Sequence, residues 1–510
     1  MRRTSLALTA ALTLIITVTS CANDNKKSST TNGSVDNSTP DSVDNSTPAT
    51  DPGPGGDAFE FVEFGSENVE VGHLEVPIDY DDPSVGTIDL YVARHLADPA
   101  QRIGSLLVNP GGPGFGGSDF AIYADQIYSQ VLLDQFDIIG WDPRGTGLSE
   151  PAIDCVDDYD LYFANTDITP DDDSERQRLI DVAQDFTDNC VDKNEILPYV
   201  GTNNSARDMN AIREALGEEK ISYFGFSYGS ELGATWATLF PDTVRAAVLD
   251  GAADPNADFI DSGLQQAAGF ENSIATFLAQ CSDNADCPFY NDGDAEGAFD
   301  ALMLDIDENP IPTVSGRPDL SRGMALTGVA NAMYSELLWP DLENALADAQ
   351  NGDGAGLLAL YDDYYVRQPD GTYDNSLEAF QVIFCQDDPS RLTVAEDDAT
   401  AAEYNAVAPR FAPGTTGSYF CSFFPEALDP RVKITGIGAG PILVMGTTGD
   451  PATPLQSTEN MANALEDGRF VIVTADQHTG YGVNQCAYDV IDNYLIDPVA
   501  NAPEDGFTCE

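Results

Sequence analysis

A chain of 510 residues with 22 Lys+Arg against 86 Asp+Glu carries a formal net charge of -64. So large a negative field repels phosphate backbones and anionic headgroups, which argues against nucleic acid as a partner, while an amine-bearing substrate would be drawn toward it. The plain reading of the composition is an acid-rich solvated surface, suited to salty surroundings, on a chain long enough for one large domain with an insertion or for two or three domains.

The chain opens on Met1-Arg2-Arg3 and an apolar run from Leu6 to Val18, the basic start and short hydrophobic core of an export signal. No other stretch approaches the roughly eighteen apolar residues that a membrane-spanning helix needs. Val18-Thr19-Ser20-Cys21 resembles the lipobox of bacterial lipoproteins, with valine where leucine is commoner. The resemblance makes residues 1–20 a signal peptide and Cys21 the residue that is acylated and becomes the mature N-terminus. The alternative is an ordinary cleavage site beside an unrelated cysteine. Residues 21–57 favour anchoring, because they are almost all Ser, Thr, Asn, Asp, Pro and Gly and repeat Ser-Val-Asp-Asn-Ser-Thr-Pro at 34–40 and 42–48, as a flexible tether would. The expected location is outside the cytoplasm, as an envelope lipoprotein held to the membrane only through Cys21, or else secreted.

Apart from Cys21, eight cysteines remain, an even number in an exported chain, and disulfides are the natural reading. Sequence leaves the connectivity open. Pairing neighbours gives four modest loops, Cys155 with Cys190, Cys281 with Cys287, Cys385 with Cys421 and Cys486 with Cys509. Zinc is a weak competitor, since no Cys-x-x-Cys pair exists and none of the three histidines lies at ligand spacing from a cysteine cluster, so neither metal nor other cofactor is expected.

From Phe59 the pattern becomes periodic. Val69 to Val76 and Thr87 to Arg94 alternate as half-buried strands do and predict an antiparallel hairpin at a sheet edge. Ser105-Leu-Leu-Val and Phe136-Asp-Ile-Ile-Gly are short continuous apolar runs of the kind found in parallel strands covered on both faces, with residues 117–134 available as a crossover helix. Strands at 221–224 and 244–249, with helices at about 206–216 and 230–240, continue the series. This β-α-β succession predicts a doubly wound, mostly parallel α/β sheet. After Asp254-Pro255 the character changes: Ile260, Leu264, Ala267, Phe270, Ile274, Phe277 and Leu278 recur at helical spacing, and amphipathic stretches follow near 324–338, 341–349 and 355–365. A helical cap over 255–430 therefore interrupts one α/β domain after its sixth strand, separating a first part at 58–254 from a second at 431–510, where Pro441 to Gly446 and Arg469 to Val473 resume the strand pattern.

The chemistry concentrates at Gly225-Phe226-Ser227-Tyr228-Gly229, a G-x-S-x-G set between a strand and a helix. A serine on so sharp a turn takes a strained backbone and stands exposed at the sheet's carboxyl edge, whereas the same pentapeptide without that context is only a glycine-rich turn. Its hydroxyl needs a base, and the base needs a carboxylate to orient it. His478 is the sole histidine after Ser227, just past the strand ending at Val473, whereas His73 and His95 fall in the edge hairpin and read as packing or surface residues. Two aspartates compete to be the orienting acid. Asp450 ends the strand one β-α unit before the histidine loop and is favoured; Asp250 ends the strand after the serine helix and is expected to brace the loop into the cap. Asp476 lies too near His478 in sequence to be placed as the orienter. For an oxyanion, the Tyr228 N-H at the helix start and an N-H from the loop Asn109-Pro-Gly-Gly-Pro-Gly-Phe-Gly-Gly, with Gly112 as the choice, are the candidate donors. A phosphate-binding reading of that loop fails for want of the lysine and the glycine spacing it requires.

Asn109 to Gly117, Gly140-Trp-Asp-Pro-Arg-Gly-Thr-Gly-Leu-Ser149, Gly225 to Gly229, Leu249-Asp-Gly251, Gly446 to Pro454 and His478, in this order, resemble the secreted tripeptidyl aminopeptidase branch of the α/β-hydrolase serine peptidases, the group that includes prolyl aminopeptidase. The likeness spans nearly everything from about 65 to 510. It implies Ser227 as nucleophile, Asp450 as acid, His478 as base, the Gly112 and Tyr228 amides as oxyanion donors, and Arg144 as a structural brace. It further implies an exopeptidase whose cap offers acidic groups to the substrate's free amine, with Glu336, Asp387, Asp388 and Glu426 as candidates. Two positions depart from the family pattern: Glu231, one turn into the serine helix, replaces an uncharged residue, and Phe424 stands where tryptophan is common.

The leading expectation is a serine exopeptidase that releases short units from the free N-terminus of peptides. An esterase or amidase of small hydrophobic substrates with the same triad is the alternative, and an inactive hydrolase-like binding lipoprotein the remote one.

Overall fold

The computed structural model of the chain describes residues 59–510 apart from 158, 165–167, 171 and 413–418, so the expected signal peptide, Cys21 and the tether lie outside the described residues. Ten strands form one sheet: β1 (Val62–Phe64), β2 (Ser66–Pro77), β3 (Thr87–His95), β4 (Gly104–Asn109), β5 (Phe136–Trp141), β6 (Ile221–Phe226), β7 (Val244–Asp250), β8 (Ile442–Thr447), β9 (Gly468–Val473) and β10 (Phe507–Cys509). Their spatial order is β1-β2-β3-β5-β4-β6-β7-β8-β9-β10. The β1, β2, β3 and β5 neighbours pair antiparallel, and every pairing from β5 through β4 to β10 is parallel. The sequence pattern misses only the two short outer strands, β1 and β10, each three residues long and too brief to show alternation.

Continuous apolar runs form the central strands because both faces are covered: every residue of β4, β5, β6 and β8 is buried. Along β6, Ile221 and Tyr223 pack into one layer with Leu232, Trp236 and Ala237 of the helix Tyr228–Leu239. Phe224 and Phe226 face the opposite layer, with Ile491, Tyr494 and Leu495 of the helix Gln485–Ile496.

The crossover expected over 117–134 breaks into three short helices, Ser118–Ile122, Ala124–Ile127 and Gln130–Gln135. Tyr128 is extended and Ser129 caps a new helix by accepting the Leu132 N-H, so the chain restarts where a single helix would continue. The helix expected at 206–216 begins earlier and spans Thr202–Ala215. Its first N-H, on Thr202, donates to the Asp387 carboxylate at 2.7 Å, a partner 185 residues away that no local pattern reveals.

Above the carboxyl edge of the sheet sits a helical roof with its own apolar core. In the helix Phe259–Asp283, Ala267, Phe270, Ile274, Phe277 and Leu278 turn inward against Met324, Val329, Leu342 and Leu357 of the helices that follow. Each large side chain buried there contributes about 1.5–3 kcal/mol. The roof extends beyond 255–430. Residues 153–200, between β5 and the helix Thr202–Ala215, leave the sheet and bring the helix Asp173–Lys193 against the cap, where Arg176 pairs with Asp398 and Phe186 meets Phe420 edge-on. Four disulfides join neighbours in sequence, Cys155–Cys190, Cys281–Cys287, Cys385–Cys421 and Cys486–Cys509. The first ties this second excursion together; the third ties the end of the cap to the helix Ser376–Asp387.

Candidate active site

The turn after β6 is as sharp as its composition requires. Ser227 takes φ 54°, ψ -126°, in the half of backbone space that a residue with a side chain rarely occupies, and the helix Tyr228–Leu239 starts immediately after it. Gly225 is needed because a Cβ there would lie 2.3 Å from the Gly229 carbonyl oxygen. The turn is held by the Ser227 N-H donating to the Asp250 carbonyl at 2.8 Å and by the Tyr223 hydroxyl donating to the Gly229 carbonyl at 2.7 Å.

The loop after β4 presses on this turn. A Cβ on Gly111 would stand 2.8 Å from Ser227 Cβ and 3.3 Å from the Tyr228 nitrogen, so the stretch carrying Gly112 lies beside the first N-H of the serine helix, which has no acceptor within the helix. Gly112 and Ser227 line the same cavity.

His478 arrives from the loop after β9. Its Nδ1 donates to the Asp450 carboxylate, at 2.9 Å from each oxygen, and both side chains are fully buried. Asp450 also accepts the N-H groups of Ala452 and Thr453 and the Thr453 hydroxyl at 3.0 Å, and that hydroxyl stands 3.3 Å from His478 Nδ1. With the Thr479 N-H at 3.5 Å, five donors converge on one carboxylate, which is held ready to orient an imidazole and to stabilise it when charged. The ring sits next to Asp250-Gly251, where a Cβ on Gly251 would come 2.9 Å from His478 Cε1, so one dipeptide contacts both the serine turn and the imidazole. His478 Nε2 is buried without a hydrogen-bond partner, and the contact to the Ser227 hydroxyl is not closed here, as is common in ligand-free sites of this kind.

Asp250 does not reach the imidazole. It is fully buried and accepts the N-H groups of Gly480 and Tyr481 at 2.7 and 2.8 Å, so it braces the histidine loop rather than a loop into the cap. Burial pushes its carboxyl up to about 6 in spite of those two bonds. Asp476 makes no bond to His478. Its N-H donates instead to Glu336 at 2.8 Å.

None of the four carboxylates expected at the substrate amine lines the cavity. Glu336 is exposed and grips the histidine loop. Asp387 is buried behind the serine helix with both oxygens taken by Thr202, Asp388 is occupied by Ser390, and Glu426 is exposed. Of the two departures from the family pattern, Glu231 forms an ion pair with Arg431 at 2.6 Å, and Phe424 is buried in the core. Arg144 is fully buried, bidentate with Asp208 at 2.6 and 2.7 Å, and bonded to the carbonyls of Pro77, Ile78 and Tyr199.

Two residues went unrecognised in the sequence. Thr453 lies within Gly446 to Pro454, and its Asp-x-x-Thr spacing is the available signal, since a hydroxyl three residues on folds back to the carboxylate. Tyr334 had none. Its carbonyl accepts the His478 N-H at 3.0 Å and its ring packs edge-on to the imidazole, 5.4 Å between centroids.

Between sheet and roof lies a cavity of about 1290 Å³ that reaches Ser227. Aromatic rings from both sides wall it, among them Phe115, Phe259, Phe270, Tyr334, Phe380 and Phe384. Nine carboxylates line it as well, including Asp119, Asp363, Asp374 and Glu378, and among the described residues no lysine, arginine or histidine does. Burial, and then the charges of Asp142 and Asp374, raise the Asp119 carboxyl, and burial takes Glu378 up to about 7.

A doubly wound sheet with a strained serine between strand and helix, and a hydrogen-bonded His-Asp pair at the same carboxyl edge, defines the α/β-hydrolase fold. The family model described as alpha/beta hydrolase fold matches residues 104–306, and the one described as TAP-like protein matches residues 409–509. Serine protease Hip1 of Mycobacterium tuberculosis is 36% identical over 461 residues, covering 86% of each chain. Carboxylesterase B of the same species is 36% identical over 455 residues, again covering 86% of each. Tripeptidyl aminopeptidase of Streptomyces lividans is 28% identical over 450 residues, covering 84% of this chain and 81% of that one. The chain belongs to this family of α/β-hydrolase-fold serine hydrolases with a TAP-like C-terminal part.

Proposed function

We propose that the protein is a serine exopeptidase that cleaves short units from the free N-terminus of peptides. In this reading Ser227 attacks the scissile carbonyl while His478 Nε2 takes its proton, and Asp450 holds the imidazole and stabilises its charge. The oxyanion rests on the Gly112 and Tyr228 N-H groups. His478 then protonates the leaving amine, and water, deprotonated by the same imidazole, releases the acyl unit from Ser227. The observation that carries the exopeptidase part is the cavity lining: nine carboxylates and no cation among the described residues, on a wall that also carries aromatic rings. An ammonium held in the cavity needs such a partner, and the acidic wall supplies candidates. The amine contacts thus move from Glu336, Asp387, Asp388 and Glu426 to carboxylates on the cavity wall, of which Asp119 is the first choice.

The test compares chromogenic amides carrying a free amine with the same amides acetylated; strong preference for the free amine is expected, and equal turnover would defeat the reading. The aromatic wall, together with a relative named as a carboxylesterase, favours ester hydrolysis as the second reading. Preference for acetylated esters over free-amine amides would establish it. Four disulfides suit an oxidising compartment outside the cytoplasm. Acylation at Cys21 is part of the same proposal, and Cys21→Ser is expected to move the protein from the membrane fraction to the medium.

A further inference from the structure

Outside the cavity lining, a chain of polar groups runs from the cap to the residue after Ser227. The Tyr228 hydroxyl is bonded to Thr202 Oγ1, and Thr202 Oγ1 is bonded to Asp387 Oδ2 at 2.6 Å, while Asp387 Oδ1 accepts the Thr202 N-H at 2.7 Å. Asp387 is the last residue of the cap helix Ser376–Asp387, and its carbonyl accepts the Arg431 N-H at 3.0 Å. Arg431 is paired in turn with Glu231, one turn along the serine helix from Tyr228. The end of one cap helix, the return from the cap and the start of the serine helix are thus linked through a single buried residue, Asp387.

The geometry points to Asp387 as a positioning residue for the Ser227 turn, acting through Thr202 on Tyr228 and holding in place the backbone N-H that faces a developing oxyanion. The direction of the hydrogen bonds gives this role a chemical signature. With Asp387 ionised, Tyr228 donates to Thr202 and Thr202 donates to Asp387, so every donor is used. With Asp387 protonated, the acid donates to Thr202, Thr202 turns toward the Tyr228 oxygen, and the Tyr228 proton loses its acceptor inside a buried site. The groups facing Asp387 are Glu231 and Tyr228 on the serine helix, Thr202 on its own helix and Arg431 on the return segment, with Asp388 adjacent in the chain. Burial first and then the Glu231 charge push the Asp387 carboxyl up to about 7, with Thr202 and Arg431 opposing. The productive arrangement therefore prevails above neutrality and is lost as pH falls through that value.

This inference rests on Ser227 being the nucleophile and not on the exopeptidase reading. The rate of Ser227 labelling by a fluorophosphonate, which carries no amine, is measured across the acid side of neutrality. The native protein is expected to show two ionisations, the imidazole and Asp387, so that the logarithm of the rate approaches a slope of two. In Asp387→Asn the amide nitrogen cannot face the Thr202 N-H, so it donates to the hydroxyl and mimics the protonated acid. That variant is expected to show a single ionisation and a plateau about tenfold lower, short of the ~10²–10³ loss that follows removal of an oxyanion donor. Thr202→Val, which keeps the shape and the backbone N-H, is expected to slow labelling and also to remove the second ionisation although Asp387 is still present. Glu231→Gln is expected to move that ionisation to lower pH. Labelling of Asp387→Asn and Thr202→Val with the native two-ionisation profile, merely scaled down, would overturn the inference. Labelling with the expected profiles by a protein that ignores free-amine peptides would sink the exopeptidase reading and leave this one standing.

Discussion

At the scale of single residues, Asp450 and Asp250 separate two tasks that a pair of buried aspartates at one sheet edge could share. Asp450 touches the imidazole and accepts three further donors from its own loop; Asp250 touches only the backbone of the loop that carries the imidazole. Asp450→Asn is expected to lower kcat by about 10⁴ with the protein still folded, because the amide selects the wrong imidazole tautomer. Asp250→Asn places an amide N-H against one of two backbone N-H donors and is expected to cost about 1–3 kcal/mol of stability, with a much smaller loss of kcat. Thermal melts alongside kcat for both variants check the division, and a larger kcat loss in Asp250→Asn would reverse the assignment.

At the scale of elements, the roof does more than cover the cleft. The end of the helix Arg322–Met333 runs into Tyr334 to Glu336, which hold the histidine loop by two hydrogen bonds, the Tyr334 carbonyl taking the His478 N-H and the Glu336 carboxylate the Asp476 N-H. On the other side, the helix Ser376–Asp387 is bonded to Thr202, whose hydroxyl meets that of Tyr228, the residue after Ser227. The cap thus grips both halves of the site. Glu336→Ala removes one exposed acceptor worth about 0.5–1.5 kcal/mol and is expected to lower kcat several-fold with little change in KM, while Glu336→Gln, which keeps an acceptor oxygen, restores it. A KM effect as large as the kcat effect, without rescue by glutamine, would return Glu336 to the substrate. The disulfide Cys486–Cys509 joins the start of the helix Gln485–Ile496 to β10, the neighbour of β9 from which the histidine loop departs. Replacing both cysteines by serine is expected to destabilise the fold by about 2–4 kcal/mol, read as a lower Tm.

For the whole molecule, charge sets stability and activity against each other. Few cations are present, and most of the arginines in the described residues are spent on internal braces such as Arg144-Asp208, Arg317-Asp362 and Arg410-Glu271. The surplus acids repel one another. Several buried carboxyls bind protons more tightly in the folded state than in the unfolded chain: Asp250 and Asp492 are pushed up to about 6, and Glu378 and Asp387 to about 7, by burial in each case. Their contribution to stability is fully present below the ordinary carboxylate range and is lost as pH rises through 6 to 7. Tm is therefore expected to fall by several degrees as pH rises from about 5 to about 8, and to recover on adding salt, which screens the surface repulsion. In the arrangement inferred above activity requires ionised Asp387 and is expected to rise over the same interval. A Tm that climbs with pH would contradict this account.

Sheet, cap and serine turn were legible because each is written in neighbouring residues. Apolar runs announce strands covered on both faces, three- and four-residue spacing announces the helix Phe259–Asp283, and Gly225 and Gly229 mark where the chain passes too close for a side chain. Eight cysteines spaced in four near pairs suggested the bridges that the structure contains. The excursion over 153–200 was not legible, since its helix Asp173–Lys193 is largely polar and meets its partners in the cap more than 200 residues away. Nor were the roles of the acids: among 86 of them, Glu336, Asp387 and Glu426 carry no local mark that distinguishes a cavity wall from a hinge or a free surface. By itself the sequence determined the order of the elements and the residue types that can react, which depend on short-range periodicity and on chemistry. Only the tertiary structure decided which carboxylate meets which donor, because burial and partnership arise from segments that the chain brings together across hundreds of residues.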